Sequence, residues 1–599
     1  MDNHDVYAYI QQQENNWKTV RIPLTQSKDW NMYEHIQRCF NVSNGWYHQG
    51  NNDNTRPYRD IVTPILNVAF RSEGFDVKDI VPFVNSQKDS YKSFLVRKFH
   101  PIWARKIELD TFIDDVVESS VIYDLVIVKK LTNTIPEVID LQTLAFCDQT
   151  NALASPICIK HQYTPAELVS FKGKWDADKI DMAIVLAENN KKVKLANEQK
   201  ADTTGKYIEV YELRGDLPES YLKENGDPHV YVPQMHIVCT YLTDKGEKNG
   251  LTLYKGEDKP LSENFKALKI DRVRSKGRAC GRSIVESLFD DQVWANYSEQ
   301  KIKKLLDSAI TVFQSASDEI AGQNLDELPN NTILKVEENK PIQKVDGTLQ
   351  NLPAFQNYQT SRENNARIIG SASDAQLGTN PVSGTPFALQ NLVVQEGQGI
   401  HEYRQGKIAT FFADVLYRDL FLAMLIADMN KGQEFSEELS LDEMQEIGEQ
   451  IITNEIEKKI KDKIFKEGII PTQEEREAMK TVYRDDFMNK GKRKFFKIMK
   501  DEFKDIPIDV FVNIKGKQKR MAQNADKITN VIREVMRNPQ AFTQIPGIAQ
   551  AFNQLLEESG MSPIDFAPMI RAVQTQEVQS STVQNISQPV EGGKTLQEK

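Results

Sequence analysis

Four pairs of aspartates are the residues of this chain best suited to hold a catalytic cation: Asp114 with Asp115, Asp176 with Asp178, Asp290 with Asp291, and Asp485 with Asp486. Paired hard oxygen ligands could bind Mg²⁺ and support phosphoryl chemistry. Adjacent residues on a helix point about 100° apart, so the pairs at 114, 290 and 485 make poor two-ligand sites, and solvated charge is the better reading of each. His229 and His236 lie in a strand-like region at a spacing that puts them on opposite faces, which favours structural or surface roles over metal binding. Cys39, Cys147, Cys158, Cys239 and Cys280 are odd in number, with no CxxC pair and no histidine at zinc-finger spacing, and read as reduced core thiols in a cytosolic setting. Gly593-Lys-Thr looks like the end of a phosphate-binding loop, but Gln588 stands where its first glycine belongs. HExxH and GxSxG are absent, and no GxGxxG lies between a strand and a helix. The expectation is a protein without catalytic residues, metal or cofactor, and not an enzyme.

The elements that would position any site belong to a chain of 599 residues, enough for two to four domains or subdomains. A net charge of −11 and a pI near 5.5 argue against a general electrostatic DNA binder, since Lys and Arg supply nonspecific phosphate affinity. The amino terminus lacks the basic start and apolar run of a signal peptide. The most apolar stretch, 411–427, is interrupted by Asp414, Arg418 and Asp419 and reads as a buried helix, not a membrane span.

Helical spacing over 109–120 leads into a β-branched run, 121–128, that reads as a buried strand. Thr164-Pro-Ala-Glu is a capping box with proline at the first helical position. Residues 206–267 read as an antiparallel β patch, with strands at 207–213, 230–232 and 236–242. Gly281-Arg-Ser-Ile-Val-Glu is another capping box, and Ile284, Leu288, Ala295, Ile302, Leu305 and Ala309 then form one helical stripe opposite a polar surface of Asp290, Asp291, Gln292, Asn296 and Glu299. Strand-like pieces at 311–313 and 332–336 follow, closed by a turn at Val345-Asp-Gly-Thr. A second helix over 352–369 has few apolar anchors, a Gly/Ser/Asn loop follows, and Thr385-Pro opens a helix expected to kink near Gly397 to Gly399. Residues 431–505 read as charged helices carrying the basic run Lys490-Gly-Lys-Arg-Lys, with capping boxes at Ser440 and Thr472. A strand at 508–514, two amphipathic helices at 522–537 and 547–558, and a disordered tail after about Gln574 complete the chain.

This order of elements, with Gly281-Arg-Ser-Ile-Val-Glu-Ser-Leu-Phe-Asp-Asp-Gln-Val-Trp-Ala-Asn and Asn380-Pro-Val-Ser-Gly-Thr-Pro-Phe-Ala, resembles the portal (head-to-tail connector) proteins of tailed bacteriophages. The resemblance implies an α+β, mainly helical fold of wing, stem, clip and crown. It assigns 1–272 to the wing with the β patch, 273–309 and 352–371 to stem helices, and 310–351 to the clip. It makes 372–384 a tunnel loop, 385–515 further wing with the long kinked helix and charged segment, and 516–573 a crown-like set of helices before the tail at 574–599.

What the resemblance further implies is a homo-oligomeric ring, typically of twelve copies, at one capsid vertex of the virion, assembled in the host cytoplasm. Double-stranded DNA would pass through it, and the terminase large subunit, head–tail adaptor proteins, and major capsid and scaffold proteins would be its partners, with no membrane involved. Ser373, Asp374, Gln376, Asn380 and Ser383 would face the DNA from the tunnel loop. Arg362 and Arg367 would make weak phosphate contacts or pair with a neighbouring subunit, with pairing preferred. A magnesium-dependent nucleic-acid enzyme, or another structural virion subunit such as an adaptor or capsid protein, is the alternative.

Overall fold

A computed structural model describes residues 5–25, 28–45, 58–84, 90–131, 135–197, 207–223, 226–243, 247–270, 277–307, 352–372, 399–438, 472–489, 493–498 and 506–512, with short pieces at 312–314, 343–345, 376–377, 452–453, 456–457, 460 and 503. The described residues fall almost entirely in one compact unit, Met1–Phe511, with Val512–Lys599 forming the other. The fold is α+β with helices predominating.

The first part carries α1 (Val6–Thr19), the hairpin β1 (Ile22–Thr25) and β2 (Lys28–Trp30), α2 (Met32–Ser43), α3 (Thr63–Glu73), β3 (Ile80–Val84), α4 (Ser90–Lys106) and α5 (Leu109–Tyr123). Helix α5 is the core of the unit: Leu109, Phe112, Ile113, Val116, Val117 and Val121 are all buried, each contributing on the order of 2 kcal/mol of transfer free energy. Its flanking residues Glu108 (φ 54°) and Asp124 (φ 53°) are both left-handed, so the chain turns sharply at each end without glycine. The strand expected from Val121 instead starts at Val126, as β4 (Val126–Lys129), because the β-branched residues 121–122 gain more from burial in α5 than their strand propensity offers.

Strands β5 (Glu137–Val138) and β11 (Phe265–Leu268) flank β4 in a three-stranded sheet. Between them β6 (Leu144–Phe146), β7 (Ile157–Tyr163), β8 (Ile208–Pro218), β9 (Tyr231–Leu242) and β10 (Lys248–Glu257) form an antiparallel sheet in the order β10-β9-β8-β7-β6. Helices α6 (Pro165–Ser170) and α7 (Ala177–Asn197) cover it through Leu168, Ile180 and Ala183 against Ile208, Val210, Ile237, Cys239 and Leu253. The antiparallel patch is therefore present and extends upstream to β6 and β7. The short α8 (Leu261–Asn264) precedes β11.

The chain then runs through α9 (Ile284–Asp307), β12 (Val312–Gln314), β13 (Gln343–Val345), α10 (Leu352–Ile369) and α11 (Gly399–Phe411). A π-helix (Phe412–Phe421) leads from α11 into α12 (Leu422–Met429). Strand β12 pairs antiparallel with β13, Val312 opposite Val345, so Val345 closes a ladder where the sequence read a turn. The apolar stretch at 411–427 is helical and largely buried, as expected. Its irregularity is the π turn set, which gathers Phe412, Tyr417 and Phe421 with ring centroids 6.1 Å apart and docks Phe412 on Phe75 (5.4 Å) and Phe421 on Phe112 (5.1 Å). Gly397, where a kink was expected, lies outside the described residues.

Beyond this, β14 (Gln433–Glu438), α13 (Gln473–Asn489), β15 (Arg493–Ile498) and β16 (Ile508–Val512) follow. Strand β14 pairs with β15, and β16 pairs with β3. The all-helical reading of 431–505 is thus corrected, because the register sets Glu434, Glu437 and Glu438 opposite Lys497, Lys494 and Arg493, and the basic run enters a strand whose partner is acidic. The capping box at Ser440, the strand piece at 332–336, the helices at 522–537 and 547–558 and the tail lie outside the described residues.

Candidate functional site: a helical hairpin rooted on a buried charge cluster

Helix α9 begins on a fixed support. Ser283 Oγ accepts from the Glu286 amide at 3.0 Å, half of the predicted capping box. The other half is absent because the Glu286 carboxylate accepts a two-pronged bond from Arg278 instead, at 2.9 and 2.6 Å. A bidentate guanidinium pair is stronger than a return bond to one amide. Burial opposes ionisation of Glu286, yet Arg278 outweighs it and holds the carboxyl below its usual range. Arg278 also donates to the carbonyls of Cys280 and Gly281, which fixes the turn into the helix.

Helix α10 returns antiparallel along α9 and is attached by polar bonds, which explains its shortage of apolar anchors. Gln359 donates to Glu299 at 2.7 Å, while Arg362 and Asn365 donate to Asp291 at 3.3 and 2.8 Å. Residues 59–61 strap the same seam: the amides of Arg59 and Ile61 donate to Asn296 and Gln292 at 3.1 Å, and Arg59 pairs with Glu363. Asp291, Gln292 and Asn296, read from the sequence as a polar surface, are buried in this seam, as is Gln359.

The outer face of the hairpin is aromatic and open. Trp294 and Tyr297 are 46% exposed and Tyr358 is 36% exposed, with Trp294 edge-on to both rings at 5.6 and 6.1 Å. Together with Ser298, Ala354 and Phe355 they line a groove of about 420 Å³. Arg362 covers the Tyr358 ring at 4.8 Å and Lys301 the Tyr297 ring at 5.4 Å. Neighbouring large aromatic side chains left open on a folded unit mark an interaction surface more often than isolated ones do.

Both ends of the hairpin land on one buried cluster. Arg404 of α11 donates through Nε to Glu73 at 2.9 Å, through Nη1 to Asp124 at 3.0 Å and through Nη2 to the Ser120 carbonyl at 2.8 Å. Burial disfavours its charge, but Glu73 and Asp124 outweigh that and push its pKa up. His401 bridges Glu73 Oε1 (3.0 Å from Nδ1) and the Gly370 carbonyl (3.1 Å from Nε2), the latter at the end of α10. At the start of the hairpin, the Gly281 amide donates to the Asp124 carbonyl at 3.1 Å, and a Cβ on Gly281 would sit 1.6 Å from Asp124 Oδ2. A Cβ on Gly370 would likewise meet Ile65 at 2.2 Å, so both hairpin roots require glycine. Sequence reasoning missed this cluster. Its one local signal was Glu73, Asp124, His401 and Arg404 standing at or near helix ends, far apart in the chain.

Of the residues expected to face DNA, Ser373, Asp374, Asn380 and Ser383 lie outside the described residues, and Gln376 sits half-buried in a short turn. Arg362 is engaged within the chain by Asp291, and Arg367 is half-buried with its carbonyl accepting from the Ala372 amide at 3.0 Å. Asp176 caps α7, accepting from the amides of Asp178 and Lys179. Among the described residues no group of three or more His, Cys, Asp and Glu is placed to hold a metal. His236 is buried in β9 against Gln234, whereas His229 is exposed in the turn before β9, so the two do not lie on opposite faces of one strand as the spacing suggested. All five cysteines are buried and free of disulfides. Cys39 does lie 3.7 Å from His35 and 3.8 Å from Ser283, but burial pushes the thiol up to about 12 and pulls His35 down to about 4, so the trio holds no thiolate at neutral pH.

No protein-family model matches the chain, and no curated protein matches it. Among solved structures it is similar to the neck of an empty GTA particle computed with C6 symmetry, at 9% identity and a TM-score of 0.29 over 61% of this chain and 82% of the other.

Proposed function

We propose that the chain is a non-enzymatic subunit of a portal, the head-to-tail connector of a tailed phage, and that copies assemble into a ring through which double-stranded DNA enters and leaves the capsid. The observation that supports this reading is the hairpin: helix α9, an insert closed at its base by the β12–β13 ladder, and the returning α10 form one unit with a polar inner seam and an open aromatic face. A single copy leaves Trp294, Tyr297 and Tyr358 in water, and packing hairpins side by side around a ring would bury them. A ring also multiplies the net charge of −11, and a like-charged wall favours sliding of DNA over binding. On this reading α9 and α10 are the stem, the insert is the clip, and 372–384 faces the channel. Terminase, adaptor, capsid and scaffold proteins would dock on the ring in the virion.

Electron microscopy of the purified protein tests the proposal. A hollow ring, of about twelve copies, is the expected outcome. Particles that remain single subunits under assembly conditions, or that build shells without a central hole, would sink it and favour a capsid or adaptor role.

A further inference from the structure

The cluster of Glu73, Asp124, His401 and Arg404 does more than fill the core. It lies at the ends of α3 and α5 and joins three points far apart in the chain: Gly281 before α9, Gly370 after α10, and the first turn of α11. Glu73, Asp124, His401 and Arg404 are all almost fully buried. In such a place a charge that loses its partner has no water to replace it. Both glycines, moreover, sit where a Cβ would collide with the cluster or with Ile65, so neither backbone segment can slide without displacing its support.

We infer that this cluster is a mechanical joint that couples the two roots of the hairpin to each other and to α11, so that the three segments hold or shift together. The path runs from the Gly370 carbonyl through His401 to Glu73, from Glu73 through Arg404 to Asp124, and from Asp124 to Gly281. Arg404 is the central link because its Nε and Nη1 are committed to different carboxylates on different helices. His401 is the link to α10 because the Gly370 carbonyl only accepts and Nε2 therefore donates to it. The joint belongs to the single chain and holds whether or not the protein forms rings, so its failure and the failure of the portal reading are separate results.

Hydrogen–deuterium exchange on the full chain tests this. His401→Ala removes the bond to Gly370 and should speed exchange at least tenfold at 366–372, which His401 touches. It should do the same at 282–288, which His401 reaches through Glu73, Arg404 and Asp124, while 291–299, bonded to α10 through Asp291 and Glu299, should change less. Exchange in β8–β10 should not change. A rise confined to 366–372, or none at either end, overturns the joint. If His401→Ala loosens the whole unit, Ser120→Ala is the milder variant, since it removes only the 3.4 Å contact of the hydroxyl with Arg404 Nη2. Both hairpin ends must then respond while β8–β10 stays slow; a uniform rise or no response overturns the inference.

Discussion

At the residue scale, three buried histidines set a pH dependence. Burial pulls His35, His100 and His236 from 6.5 down to about 4, so each stays neutral in the folded protein and gains a proton on unfolding at mildly acid pH. A depressed folded pKa gives stability that is fully present above the unfolded value and is lost as pH falls through the folded one. Thermal stability should therefore drop between about pH 6.5 and pH 4, by on the order of 3 kcal/mol at most for each histidine. His100→Phe should flatten part of that slope in unfolding curves recorded across this range. Glu212 follows the same sign further down: burial opposes its charge, but His161, Lys129 and Arg214 outweigh it and hold the carboxyl well below its usual range, adding a loss at lower pH. Gly281→Ala should cost about 1–3 kcal/mol in denaturant titration, because Asp124 is held by Arg404 and cannot yield to a Cβ. Arg404→Met leaves two buried carboxylates without their cation and should cost about 3–5 kcal/mol by the same measurement.

At the element scale, the attachment of α10 rests on Asp291. Asp291→Ala frees Arg362 and Asn365 at once and should cost about 1–3 kcal/mol, discounted because Arg362 is one-third exposed, with faster amide exchange concentrated in α10. The caps were legible because they are local: Thr164 with Glu167 and Thr472 with Glu475 each form the full reciprocal pair. The cap at Ser283 was legible only by half, since Arg278, five residues upstream, claims Glu286. Strand β7 was missed because its second half, Lys160-His-Gln-Tyr, has no apolar alternation to show. The strands at 433–438 and 493–498 were missed because dense charge reads as helix surface until the partner strand is known.

At the scale of the whole molecule, the proposed ring makes the open aromatic face of the hairpin the place where copies of the chain meet. Trp294→Glu together with Tyr358→Glu should leave the monomer folded, with unchanged circular dichroism, and abolish self-association in sedimentation velocity. Intact assemblies from this double variant would move the interface elsewhere. Helices α9 and α10 were readable along the chain, the first from its cap and apolar stripe and the second from its helical spacing. The cluster that roots the hairpin was not readable, because Glu73, Asp124, Gly281, Gly370, His401 and Arg404 meet only after α3, α5 and α11 have packed.

The sequence by itself determined where helices α6, α9 and α13 begin, that the five cysteines lie in the core, and that 411–427 is a buried helix, since caps, burial preference and apolar spacing act within a few residues. Only the tertiary structure decided that Asp291 faces a partner helix, and Gln292 and Asn296 the strap at 59–61, and not water. It alone decided that Glu286 serves Arg278, and that four buried ionisable side chains from three helices share one site. Those outcomes depend on which surfaces meet, and a charged side chain carries no mark of its partner until folding removes the water that would otherwise solvate it.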